Sequence, residues 1–294
     1  MNISVTLRRS FGVVATAVVC AMATPTMAAS ESVALDSFPT EKMSDLPALQ
    51  DGARTFVNYC LSCHSASSYR FNRLQDIGLT DEQILGSLVF TGGRVGDTMD
   101  VAMRPDDAKV WFGAAPPDLS VIARARSSHD GTGADWLYTF FRSFYRDASR
   151  PTGWNNSIFP NVGMPHILGQ WQGNRGATEE AVAPVTDDES GEITGWTKTT
   201  VIFDEHGNRT ENVEQLTGDN HHETTSMHLD KPVGGTMTQA EYDDKVANLV
   251  AFLNYMGDPT ASTRSSLGIW VLLFLAILIL SARWLNREYW KYVK

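Results

Sequence analysis

Residues 60–64 read Cys60-Leu61-Ser62-Cys63-His64, a C-x-x-C-H pattern. This is the attachment signature of a c-type haem. Each thiol adds across a haem vinyl group, and the adjacent histidine is set to ligate the iron through a ring nitrogen. Both sulfurs must lie on one side of the macrocycle with the imidazole over its face. The spacer is therefore two residues and the histidine follows at once. Two other chemistries use closely spaced cysteines, a redox disulfide and half of a zinc site. A zinc ribbon needs a second ligand pair, but the chain has only three cysteines, and Cys20 falls in a segment read below as removed. A thioredoxin-type site follows a strand. Here Leu46 to Tyr59 places Leu49, Ala53, Phe56 and Val57 on one helical face. One covalently attached haem c is expected, tethered by Cys60 and Cys63, with His64 on the iron.

The ends of the chain carry addresses. Arg8 and Arg9 precede an apolar run from Phe11 to Ala23 and small residues up to Ala29, which reads as a secretory signal over residues 1–28. The paired arginines hint at twin-arginine export. Export agrees with the motif, because c-type attachment takes place outside the bacterial cytoplasm. Residues 264–282 predict a transmembrane helix. The uncharged stretch from Ser265 to Ala282 would span about 27 Å at ~1.5 Å per residue. Arg283, Arg287, Lys291 and Lys294 follow it, so residues 283–294 are expected in the cytoplasm and residues 29–263 in the periplasm. The expected location is the bacterial inner membrane, crossed once, with the lipid bilayer as one partner. The formal net charge is −10 although both ends are basic, so the middle is strongly acidic. Such a domain repels nucleic acid and attracts basic proteins.

Between the ends, Thr80-Asp81-Glu82-Gln83 and Thr238-Gln239-Ala240-Glu241 both read as capping boxes that open helices. The second helix repeats Tyr242, Val246, Leu249, Val250 and Leu253 on one face and stops near Gly257 and Pro259. Gly92, Gly93 and Gly96 mark turns and lack the ending of a phosphate loop. Ala114 to Leu119 is a stiff extended stretch leading into a helix near Leu119–Arg126. Asp135 to Tyr145 predicts an aromatic-rich helix able to wall a porphyrin or simply to fill a core. Residues 171–235 hold 13 acidic and 4 basic residues with few large apolar ones. They are expected to be an acidic insertion, with a hairpin over Thr199–Val213 turning at Gly207 and the rest a surface excursion or partly disordered. The fold expected overall is mainly α, a class I c-type cytochrome with an acidic insertion and one C-terminal transmembrane helix.

A second axial ligand of methionine type raises the potential and favours electron transfer. Beyond the signal the candidates are Met43, Met99, Met103, Met164, Met227, Met237 and Met256. Met164 stands out because Pro160 and Pro165 stiffen its loop and Gly163 frees it. The chain then resembles the cytochrome c1 subunit of the proteobacterial quinol–cytochrome c oxidoreductase, respiratory complex III. The likeness rests on Tyr59 to Ser65, on Pro116-Pro117-Asp118-Leu119-Ser120 followed by Arg124-Ala125-Arg126, on Arg150-Pro151-Thr152-Gly153-Trp154-Asn155-Asn156 leading into Gly163-Met164-Pro165-His166, and on Gly235-Thr236-Met237 before the last two helices. The resemblance implies His64 and Met164 as axial ligands and Arg126 on a haem propionate. It departs at Trp136, where the family often has tyrosine, and in a longer Ser127–Ala134 loop.

The resemblance also implies electron flow from the Rieske iron–sulfur subunit through the haem to a soluble cytochrome c, with cytochrome b as a further partner. No substrate bond is made or broken on this chain. The alternatives are a free-standing anchored cytochrome or oxidase subunit, and a haem enzyme with an open iron position. A single C-x-x-C-H argues against most members of the last class. His221, His222, Glu223 and His228 carry ligating atoms, but a solvated polar loop is the preferred reading.

Overall fold

The computed structural model describes residues 34–90, 93–187, 190, 192–218 and 221–292. The expected signal, Cys20 and the turn at Gly92 lie outside them.

Two helices form the frame of the haem-motif region. Helix α1, Leu46–Thr55, carries a proline in its first turn and buries Ala48, Leu49 and Ala53. It does not end at Thr55 but widens into a π-helical turn, Phe56–Cys60, closed by Leu61 N–H donating to Phe56 O at 3.0 Å. Cys63 and His64 N–H then both donate to Cys60 O, which folds the attachment motif onto the end of that turn. Further along, α2 is Gly133–Arg142. Helix α3, Gln239–Gly257, opens with the expected Thr238/Glu241 capping box and buries Tyr242, Val246, Leu249, Val250 and Leu253 as its periodicity requires. Each such side chain contributes roughly 1.5–3 kcal/mol by leaving water. The capping box at Thr80/Gln83 also forms and opens the helix Asp81–Ser87.

Helix α1 packs directly on α3 through Gly52, where a Cβ would stand 2.0 Å from Asn248 O. Glycine is required because the two backbones touch. In the same way Gly133 lets α2 meet the short helix Ile122–Ala125, with Ala123 O 1.6 Å from where a Cβ would be. Ion pairs fasten the outer edges of the frame. Lys245 bridges to Asp51, and Arg142 bridges to Asp36 and Asp243.

The expectation of a mainly helical chain is corrected. The insertion is an antiparallel sheet of four strands, β1 Ala177–Thr186, β2 Ile193–Phe203, β3 Arg209–Leu216 and β4 Thr224–Leu229, in spatial order β3-β2-β1-β4. The hairpin about Gly207 forms as expected, with Phe203 opposite Arg209 and Gly207 at φ 88°. Strands β1 and β4 were not foreseen, because β1 opens Ala177-Thr178-Glu179-Glu180 and β4 opens Thr224-Thr225-Ser226, with few large apolar residues in either. Backbone pairing holds them in register, and a small cluster of Tyr145, Ala177, Val201 and Phe203 anchors one end. Most of the remaining sheet surface is exposed or half-exposed, so the segment is a surface excursion, but an ordered one.

The aromatic helix is also shorter than expected. It ends at Arg142, and Phe144 and Tyr145 continue in a short strand, Phe144–Arg146, paired with Trp154–Asn156. Helix α4, Ala261–Tyr289, runs past the expected boundary at 282. Within it Thr263–Tyr289 is long and apolar enough to cross a membrane and none of it is buried. That exposure sets it apart from a core helix, since Trp270 and Phe274 have nothing in the described chain to cover them.

Candidate functional site

An apolar cleft of about 380 Å³ opens where the attachment motif, the Ala114–Leu119 segment, α2 and the Met164 loop converge. Cys60, Cys63, His64, Arg126 and Met164, the five residues singled out from sequence, all line it. Among the described methionines only Met164 does so. Met99 and Met256 are buried elsewhere, Met43 accepts a hydrogen bond from Asn254, and Met227 belongs to the cluster under the sheet.

Cys60 is buried and Cys63 half-buried, and both are free thiols. Burial, with the neighbouring Cys63 adding to it, pushes the Cys60 thiol up to about 12. A thiol held neutral is a weak nucleophile for thiol–disulfide exchange, which needs thiolate. A thioether carries no charge and suits the same apolar wall.

The imidazole of His64 is oriented by a backbone group. Its Nδ1 lies 2.7 Å from Pro117 O. A carbonyl can only accept, so Nδ1 carries the proton and Nε2 keeps its lone pair for a ligand. Burial lowers the His64 pKa, against the Pro117 bond and the Asp118 charge, which keeps the ring in the neutral ligating form. Pro117 is held in turn by its neighbour. Asp118 accepts from Ser67 N–H and Oγ–H and from Ser120 N–H, each at 2.8 Å. Burial alone would raise this carboxyl, but the bonds from Ser120 and Ser67 outweigh it and hold it below the usual carboxylate range.

On the other wall, Trp136 and Phe140 stack with centroids 5.0 Å apart, and Leu137 and Phe141 complete the face that α2 gives to the cleft. The aromatics of the 135–145 stretch are therefore divided, since Phe144 and Tyr145, in the strand beyond the helix, are buried away from the cleft. Arg126 places its guanidinium 4.4 Å from the Trp136 ring centre and 5.3 Å from that of Phe159. Among the described residues no carboxylate pairs with it. An unpaired cation on the rim of an apolar cleft is a ready partner for an anionic group of a bound molecule.

The Met164 loop is tied down by groups that sequence reading quoted without a role. Asn156 Oδ1 accepts from Ile158 and Phe159 N–H, and its Nδ2 donates to Phe140 O. Asn155 Oδ1 accepts from Asn161 N–H at 2.8 Å. Arg150 grips Asn161 at its side chain and its carbonyl, and Asn161 takes the left-handed backbone at φ 63° that asparagine tolerates. Beyond the methionine, His166 is buried and donates from Nε2 to Gln172 Oε1. Burial pushes its pKa down to about 3 against that bond. The only sequence signal for these anchors was the density of asparagine, glycine and proline in the segment.

The cleft thus presents two thiols, one free imidazole nitrogen, one thioether and one cation on apolar walls, a donor set that fits a covalently held haem. His221 accompanies Trp196 and the Thr217 carbonyl, and among the described residues it joins no group of three or more His, Cys, Asp or Glu side chains that could hold a metal ion.

Comparison with known proteins matches residues 38–181 to the cytochrome C1 family. The chain is 41% identical over 261 residues to the ammonia monooxygenase gamma subunit of Nitrosomonas europaea, covering 89% of each chain. It is 37% identical to cytochrome c1 of Allochromatium vinosum, over 85% of this chain and 86% of that one. A more distant likeness, 23%, links it to cytochrome c1 of Rhodospirillum rubrum over 85% of this chain.

Proposed function

The chain belongs to the cytochrome c1 family, and from that premise we propose that it is the membrane-anchored electron carrier of a quinol–cytochrome c oxidoreductase. In this reading it accepts electrons from the Rieske iron–sulfur subunit, passes them to a soluble periplasmic cytochrome c, and packs beside cytochrome b. Membership of the family implies a c-type haem, whose iron supplies one-electron chemistry when bound. The supporting observation is the convergence of Cys60, Cys63, His64 and Met164 on one apolar cleft.

The chain's residues divide the work. Cys60 and Cys63 hold the group by thioether bonds. His64 offers Nε2, with Pro117 O fixing the tautomer. Met164 offers the sulfur that favours the reduced state. Arg126 neutralises a propionate. Trp136, Phe140 and Leu137 exclude water, which lowers the reorganisation that accompanies a change of charge. The frame is read as a class I c-type cytochrome, with α1 and α3 crossed at Gly52. The span Thr263–Tyr289 is read as the single anchor, with the domain before it in the periplasm and the basic tail in the cytoplasm.

A second reading has a specific observation behind it. The relative at 41% identity is called a subunit of ammonia monooxygenase. The same carrier would then serve a monooxygenase. Purification of the tagged full chain from membranes in mild detergent separates the two. Co-purifying b-type and c-type haems with quinol–cytochrome c reductase activity support the first reading. A c-type spectrum in company with a monooxygenase supports the second, and a carrier that runs alone counts against both.

A further inference from the structure

Met164 sits at the centre of a three-residue span, Gly163-Met164-Pro165, that is at least partly exposed, while Val162 and His166 on either side are buried. Upstream, Val162 is buried and Asn161 is gripped by Arg150 and Asn155. Downstream, the first fixed point is His166. Its ring stacks on Phe144 with centroids 4.6 Å apart and planes 7° from parallel, and the edge of Trp154 closes it from the side at 4.9 Å. Gly169 allows this packing. A Cβ there would stand 3.2 Å from both His166 and Trp154, and its N–H donates to His166 O at 3.0 Å.

The ring is also bonded in a direction that leads back to the attachment motif. Nε2–H donates to Gln172 Oε1. Gln172 ends the short helix Gly169–Gln172, and its neighbour Trp171 packs on Tyr59 with centroids 4.5 Å apart. Tyr59 immediately precedes Cys60. A continuous packed path therefore joins the wall that carries the thiols to the loop that carries the thioether, and His166 is its last member before Met164. The histidine is engaged at Nε2, stacked on one face by Phe144 and set behind the cleft lining, so it is placed to brace and not to ligate.

We propose that His166 is the positioning residue of the Met164 thioether, and that its stack on Phe144 and its bond to Gln172 set how firmly the sulfur is held at the haem iron. This inference rests on the reading of Met164 as an axial ligand. A loop held only from the Asn161 side would let the sulfur retreat by rotation about the Gly163 backbone, with no loss of covalent attachment at Cys60 and Cys63.

The test uses the full chain purified with its haem, comparing wild type, His166→Ala, His166→Phe, Gln172→Leu and Met164→Leu. Three quantities are read at a temperature where all remain folded: the methionine–iron charge-transfer absorption of the oxidised protein, carbon monoxide binding by the reduced protein, and the midpoint potential. His166→Ala is expected to weaken the absorption, to admit carbon monoxide, and to lower the preference for the reduced state at least tenfold, a fall of about 59 mV. Gln172→Leu shifts the same quantities in the same direction by less. His166→Phe restores the stack without the bond and falls between wild type and His166→Ala. Unchanged absorption, ligand exclusion and potential in His166→Ala, with all three altered in Met164→Leu, overturn this inference and leave the ligand assignment standing. Unchanged values in Met164→Leu overturn both. Should His166→Ala not accumulate, Gln172→Leu and His166→Phe decide by the same readouts.

Discussion

Gly52 of the first helix lies against the backbone carbonyl of Asn248 in the helix that closes the domain, 2.0 Å from where a Cβ would stand. Because the obstructing atom is backbone, no side-chain rotation relieves it. Gly52→Val is expected to destabilise the folded domain by about 3 kcal/mol, the upper range for overpacking, through separation of the two helices. Denaturant unfolding of the detergent-solubilised protein, followed by tryptophan fluorescence, measures it. A midpoint within error of wild type would show that the contact is slack.

The same helix pair is fastened by Asp51, which accepts from Lys245 and Asn248. Burial alone would raise the Asp51 carboxyl, but those bonds and the Lys245 charge outweigh it and hold it below the ordinary value. A depressed folded pKa contributes stability that is present above the unfolded value, ~3.9, and is lost as pH falls through the lower folded value. Asp51→Asn is expected to cost on the order of 1 kcal/mol at neutral pH, after allowance for solvent screening. The difference should close at pH values below ~3.9. Unfolding free energies at pH 7 and at pH 3 test this, and a pH-independent gap would refute it.

Met164→Leu is expected to lower the midpoint potential and to stop turnover, since a thioether favours ferrous iron and leucine has no lone pair to replace it. A wild-type visible spectrum in this variant would move the ligand elsewhere.

In the proposed reading Arg126 bears on the potential through its charge. Arg126→Gln is expected to lower the midpoint potential, because a cation near the haem favours the reduced, less positive state. Arg126→Lys should recover part of the shift, though not the planar, bidentate contact. Spectroelectrochemical titration reads both. Equal potentials in all three proteins would place the guanidinium away from the haem anions.

The sheet can be shortened without touching the cleft. Glu179 and Met227 are direct partners on β1 and β4. Replacing residues 180–226 by a two-residue Asn-Gly turn joins strands already antiparallel. Haem incorporation should remain at wild-type level, with stability reduced by loss of Val201 and Phe203 from the cluster on Tyr145. Absence of covalent haem in the shortened protein would tie the insertion to the pocket.

Legibility in the sequence followed the range of the forces involved. The buried stripe Tyr242, Val246, Leu249, Val250 and Leu253 was readable because burial imposes a period on one helix. The capping boxes at Thr80 and Thr238 were readable because their partners lie three residues away. A third box, Thr132/Asp135, moves the start of the aromatic helix to Gly133, within the loop that had seemed merely long. Strands β1 and β4 were not readable, because their register is held by hydrogen bonds between segments tens of residues apart.

By itself the sequence carried the C-x-x-C-H motif at residues 60–64, the long apolar stretch near the C-terminus, and the stiffness of the loop around Met164. Those are properties of neighbours in the chain. Only the tertiary structure decided that Pro117 O orients His64, that Asn155, Asn156 and Arg150 hold the methionine loop, and that Arg126 lies unpaired over Trp136. These groups are backbone carbonyls, amides and guanidinium ions, which are the same in every composition. Their role comes from which distant atom folding brings within about 3 Å of them.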